Sequence, residues 1–380
     1  MMISRQWHLA GVVAAMGAFA PVSLWTGTPT SVPRVTPVSL HMDIRESEPY
    51  LAIRTGLRCA QCHVNRTGGG ARNDFGSIYA QTRLPAWEMS YVSRRLNQYL
   101  SVGANFRVLA SGTVSNTTPR TSLQVTEQNV QVEARVVPDI LALYLDQTLG
   151  PGTAHTREAF VLVEKLPLDG FVKVGKFFLP YGTRLVDDSE FIREGTGFSY
   201  QTPDQGLELG IEPGPLSLFV ALTNGTQGAS ENNSDKQVTA SAALIFPAFR
   251  VGASAAHNDA PNGSRDVVGA FAGFRLGRFS FLGEADRIFD SFATGPDLDQ
   301  TVVYVEGNFL AARGLNFKAT YGFLDPDRSV AENARIRLRF GVEAFPIAFL
   351  QLSAFYTLLD DIPQATTDRD RIGVEVHAFF

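Results

Sequence analysis

The sequence predicts an all-β membrane protein, an antiparallel outer-membrane barrel of about 16 strands over residues 100–380 that follows a small N-terminal segment able to plug its lumen. Three observations predict it. Apolar residues alternate with polar or small ones in segments of roughly ten residues. The connections alternate between tight and long. The C-terminal run from Ile372 to Phe380 alternates up to a terminal aromatic residue, as in chains assembled into outer membranes.

The elements follow in chain order. Residues 1–26 read as a signal peptide, with Arg5 ahead of the apolar run Leu9 to Ala20 and small residues at Ala18 and Ala20. Pro21 breaks that run before it could span a bilayer, and it leaves the cleavage position open. Residues 27–42 carry Pro29, Pro33 and Pro37 and read as an extended linker. Residues 43–99 are the small segment.

Strands are expected at 101–114, 122–137, 140–149, 158–166, 170–178, 206–213, 216–224, 237–246, 249–258, 265–276, 278–289, 300–312, 315–324, 333–345, 349–360 and 369–380. In the fourteenth, Ile336, Leu338 and Phe340 share one face and Arg335, Arg337 and Arg339 the other. A soluble core would have to bury those arginines, whereas a barrel turns them to a wet lumen. Glu133, Arg135, Tyr144, Asp146, Glu284, Asp286, Tyr304, Glu306 and Glu343 are expected to face the same interior. Tight turns, such as Pro138-Asp139, Pro213 to Pro215 and Pro247-Ala248, mark the periplasmic end. Long connections, such as 180–205 and 224–236, mark the cell surface. Residues 43–99 therefore enter from the periplasmic side.

Composition narrows the function. With 33 basic and 38 acidic side chains, a formal charge of -5 and a mean hydropathy of -0.01, the chain is neither a nucleic-acid binder nor disordered. Two cysteines in 380 residues exclude a disulfide scaffold.

Both cysteines fall in Arg58-Cys59-Ala60-Gln61-Cys62-His63. In Cys-x-x-Cys-His, two thiols are spaced to form thioethers with a haem, and the next imidazole is placed to ligate its iron. A thioredoxin-like pair would need a βαβ setting, and a structural zinc site a fourth ligand. A disulfide would leave His63 without a role. One covalent haem c on Cys59, Cys62 and His63 is the expected cofactor.

Tyr50, then Arg54-Thr55-Gly56 and, two residues on, the cysteine motif resemble the start of fused outer-membrane monohaem cytochrome-porins, some of which oxidise ferrous iron. Phe171-Val172-Lys173-Val174-Gly175-Lys176-Phe177-Phe178-Leu179-Pro180-Tyr181-Gly182 resembles a strand and loop start of phosphate-selective-type porins. The two resemblances span most of the chain, and they imply electron transfer through a haem held in a barrel. The Gly68-Gly69-Gly70 run departs from the iron-oxidising pattern and leaves the electron donor open.

For the second iron ligand the sequence offers Met89, with His41 behind it. Arg66 and Arg72 are candidates for the haem propionates. Expected partners are a periplasmic electron carrier such as a soluble cytochrome, an extracellular donor or acceptor with iron among the candidates, and outer-membrane lipid. Two functions compete. One is electron transfer across the outer membrane. The other is a diffusion porin or transporter in which the haem segment is a structural, gating or sensing plug.

Overall fold

In the computed structural model, residues 48–114, 120–231, 233–361 and 370–380 are described. The expected signal peptide and linker, the first residues of the haem segment, and His41 fall outside them.

Sixteen strands form the wall: β1 Leu100–Val114, β2 Arg120–Val137, β3 Leu141–Gly150, β4 His155–Leu166, β5 Gly170–Phe177, β6 Asp204–Ile211, β7 Leu216–Thr223, β8 Gln237–Ile245, β9 Phe249–Ala260, β10 Gly263–Leu276, β11 Phe279–Phe292, β12 Leu298–Ala312, β13 Leu315–Asp325, β14 Arg335–Ala344, β15 Leu350–Asp361 and β16 Asp370–Phe379. Each pairs antiparallel with its neighbour in sequence, and β1 pairs with β16 to close the ring. Closure leaves no strand edge unpaired, which a wall facing hydrocarbon requires. Among the described residues no helix is long and apolar enough to cross a membrane.

Alternation decides which side faces out. On β16 Ile372, Val374 and Val376 point outward and are exposed, while Arg371, Glu375 and His377 point inward and are buried. On β14 Phe340 is outside and Arg337 and Arg339 are inside, as expected. A shift of one residue would exchange the two faces, so the pattern itself pins the register.

Two connections differ from expectation. β9 and β10 run on to Ala260 and Gly263, so the hairpin between them closes on Pro261-Asn262 alone. Strict alternation of tight and long connections therefore breaks there, because Asn258, Asp259 and Ser264 continue the ladder. The segment between β5 and β6, expected as a surface loop, folds into the lumen instead. Its helix α3, Phe191–Thr196, buries Phe191 and Ile192 with Ile288, Val302 and Leu324. Asp187 and Glu190 draw it in by pairing with Arg337 and Arg339 on the opposite wall.

Residues 48–99 fill the other end. Helix α1, Tyr50–Thr55, lies against β10 and β11, and Tyr50 Oη donates to Glu343 Oε2 at 2.7 Å. Helix α2, Asp74–Thr82, sits beside Phe345 and Phe379 through Ala80 and Tyr79. The segment is tied to the tight turns one after another: Arg66 to Asp169 (3.0 Å), Arg58 to the Glu212 carbonyl (2.8 Å), and Arg313 to Glu88 (2.8 Å). The backbone amides of Ala86 and Trp87 donate to the carbonyls of Phe345 and Pro346 at 2.8 and 3.1 Å. The plug thus lies across the short-turn mouth.

Candidate functional site

Cys59 to Gln61 form one 3-10 turn, opened by the Arg58 amide donating to Gln61 Oε1 at 2.8 Å. The amides of Cys62 and His63 both return to the Cys59 carbonyl, at 3.0 and 2.9 Å. Local hydrogen bonding therefore presents the three side chains of the motif from a single turn. Asn73 fixes that turn to α2. Its side chain accepts from the Gly76 amide at 3.0 Å as the helix cap and donates to the Ala60 carbonyl at 3.0 Å. The Asn73 amide donates to the Cys62 carbonyl at 2.9 Å.

The loop that follows is held by the barrel. The Ala71 amide donates to Tyr144 Oη and Asn65 Nδ2 to Glu158 Oε1, each at 2.8 Å. Gly68, Gly69 and Gly70 all have positive φ, at 96°, 80° and 62°, a region that favours glycine. A Cβ on Gly69 would collide with Tyr200 Oη, and one on Gly70 with Tyr144 Oη. The glycine run lets the loop thread between two tyrosines.

Cys59, Cys62 and His63 open onto one cavity in the middle of the barrel. The cavity has a volume of about 300 Å³ and opens through a mouth. The plug supplies the floor through Leu51, Tyr79 and Ala80; the inward segment supplies the roof through Tyr181, Arg184 and Tyr200. Phe178–Tyr200 and Tyr181–Phe198 ring pairs, each 4.3 Å between centroids, stiffen that roof.

Electrostatics suit ligation better than thiol redox work. Burial raises the pKa of both thiols, with Arg250 and Arg184 opposing it at Cys59 and Cys59 itself adding to it at Cys62. A redox-active pair wants the reverse, a stabilised thiolate. Burial, helped by the Arg72 charge, lowers the His63 imidazole to about 4, so the ring is neutral near pH 7 and keeps a lone pair for a metal. His63 Nδ1 is buried with no hydrogen-bond partner, and both cysteines are free.

The other candidates divide. Arg66 lines the cavity but is held by Glu212 (2.6 Å), Glu164 (3.0 Å) and Asp169 (3.0 Å). Arg72 also lines it, with its guanidinium 4.5 Å above the Phe379 ring and no carboxylate in ion-pair range among the described residues. Met89 is 43% exposed and does not line the cavity. Sequence reading missed Arg184, Arg250 and His377, which do. Alternation places Arg250 and His377 inside the barrel, yet nothing local says that they share a cavity with Cys59. No group of three metal-binding side chains occurs among the described residues.

No protein-family model and no curated protein matches this chain. Solved structures match in fold. Outer-membrane expressed OmpT of Vibrio cholerae aligns with a TM-score of 0.58 at 14% identity, covering 75% of this chain and 99% of its own. The anion-selective porin from Comamonas acidovorans aligns with a TM-score of 0.57 at 9% identity, covering 74% and 99%. The outer membrane channel DcaP of Acinetobacter baumannii gives 0.57 at 13% identity, covering 74% and 97%. The closed ring of sixteen antiparallel strands, apolar outside and polar within, is the porin-type fold of outer-membrane barrels.

Proposed function

We propose that this chain is an outer-membrane electron carrier in which one covalent haem c, held by Cys59, Cys62 and His63, occupies the cavity between plug and roof. The observation that carries the reading is that both thiols and the neutral imidazole issue from one turn into a central cavity. The donor set fits the group, since two free thiols suit thioether attachment and a neutral imidazole on the next residue suits a proximal ligand. When bound, a haem c supplies a one-electron ferric/ferrous couple.

The chain's own residues supply the rest. Asn73 and the Cys59 carbonyl hold the motif in one orientation. Tyr181 and Tyr200 above, and Leu51 and Tyr79 below, give the cavity wall its rings and aliphatic surface. An apolar wall favours the less charged state of a couple beside it, so these residues would raise its potential relative to an open site. The partners would be a periplasmic carrier at the short-turn mouth and a donor or acceptor at the long-loop end.

The test starts with purified, membrane-extracted protein. A haem stain on a denaturing gel is expected for the wild type and is absent from Cys59→Ala/Cys62→Ala. In proteoliposomes with a reduced dye inside and an impermeant oxidant outside, the wild type oxidises the dye and the double variant does not. Equal rates in both would sink the electron-carrier reading. Ferrous iron offered from outside tests iron as the donor.

The porin fold favours a second reading, a diffusion channel with a plug. It predicts that small solutes cross liposomes containing either form.

A further inference from the structure

Seven arginines line the cavity, and their partners sort them. Glu212 takes Arg66 at 2.6 Å and Arg58 at 3.8 Å; Glu127 takes Arg157 at 2.6 Å and Arg107 at 2.9 Å. Arg72, Arg184 and Arg250 have no carboxylate in ion-pair range among the described residues. They reach the cavity from three separate elements: the plug ahead of α2, the inward segment, and β9.

Carbonyls, a hydroxyl and aromatic rings hold them instead. Arg250 Nη2 donates to the carbonyls of Ala52 and Leu57 at 2.7 and 2.8 Å. Arg184 Nη2 donates to Thr67 Oγ1 at 3.2 Å and to the Phe178 carbonyl at 3.3 Å. Arg72 rests on Phe379 without a guanidinium hydrogen bond. The remaining N–H groups of all three stay uncommitted. Enclosed cations without counter-charges are unfavourable unless an anion joins them.

We propose that Arg72, Arg184 and Arg250 seat the two propionates of the haem, a step that rests on the haem reading above. Attachment through the cysteines leaves both carboxylates of the group intact, and guanidinium is the side chain whose fork matches a carboxylate. Arg66, already shared among three carboxylates, works instead as a tie between plug and wall. Glu48 also lines the cavity on the side of Arg72, so Arg184 and Arg250 are the cations left to the propionates alone. Their charge holds the propionates ionised and disfavours the ferric state.

The experiment is a redox titration of the purified holoprotein across pH, with absorbance as the readout. Arg184→Gln and Arg250→Gln should each lower the midpoint potential and move its pH-dependent segment to higher pH, because a propionate that loses a cation binds its proton more tightly. Arg184→Lys and Arg250→Lys, which keep the charge, should stay closer to the wild type and report on folding. Arg287→Gln, outside the cavity and paired to Asp299, should change neither readout. Holoprotein whose potential and pH profile are the same in wild type and both glutamine variants would overturn the propionate seat while leaving the haem reading intact. A chain with no covalent haem overturns both.

Discussion

Asn73 joins the cysteine turn, the His63 carbonyl and the first turn of α2 through one short side chain. Removing it strands a helix cap and the Ala60 carbonyl together. Asn73→Ala is expected to cost about 1–3 kcal/mol, seen as a lower unfolding midpoint of the plug and a smaller haem-stained fraction. Met89 makes the contrasting case. Its side chain lies away from the cavity, so Met89→Ala should leave the holoprotein spectrum and potential unchanged; loss of a sulfur-to-iron band in that variant would reinstate it as a ligand. Cys59, Cys62 and His63 were legible in the sequence as a group because they fall within five residues, and one turn presents them. Arg184 and Arg250 were not, because only the closed ring brings β9 and the inward segment to the same place.

Among the elements, the strands were the easiest to read. All sixteen expected ranges fall on observed strands, since a wall with lipid on one side and water on the other writes a period of two into every segment. The segment between β5 and β6 escaped that logic. A polar connection looks alike whether it lies on the surface or inside a polar lumen, and its fate is set by Arg337 and Arg339 far along the chain. Protease added to intact cells should therefore cut in the exposed connection between β7 and β8 and spare residues 187–199; cleavage near Phe191 would place that segment outside. The glycine run is equally local in cause. Gly70→Ala meets both a left-handed backbone and Tyr144, and it should destabilise the plug by about 1–3 kcal/mol, measured as earlier proteolysis of residues 64–72.

For the whole molecule, plug and inward segment occupy the lumen from opposite ends. A barrel of sixteen strands otherwise encloses an aqueous channel. Single-channel recordings of the full chain in a planar bilayer should show almost no conductance. Steady openings of the size of a water-filled pore would favour the diffusion reading. The sequence indicated both a barrel and something to fill it. It did not indicate that the filling would come from two directions, because the roof is built from a connection and not from a separate domain.

The position of Cys59 also sets an order of events in time. Its thiol faces a space walled by sixteen hydrogen-bonded strands and covered by the plug's own loop, where Gly68 lies against the sulfur. A macromolecule that joins porphyrin to thiol could not reach in once β1 has zipped to β16. On the proposed haem reading, attachment therefore comes first, on a segment still unfolded, and ring closure second. Under that reading a cell that delays the first step would commit chains to a finished barrel that no later supply of porphyrin could repair, and maturation would be a race between a chemical bond and a folding reaction.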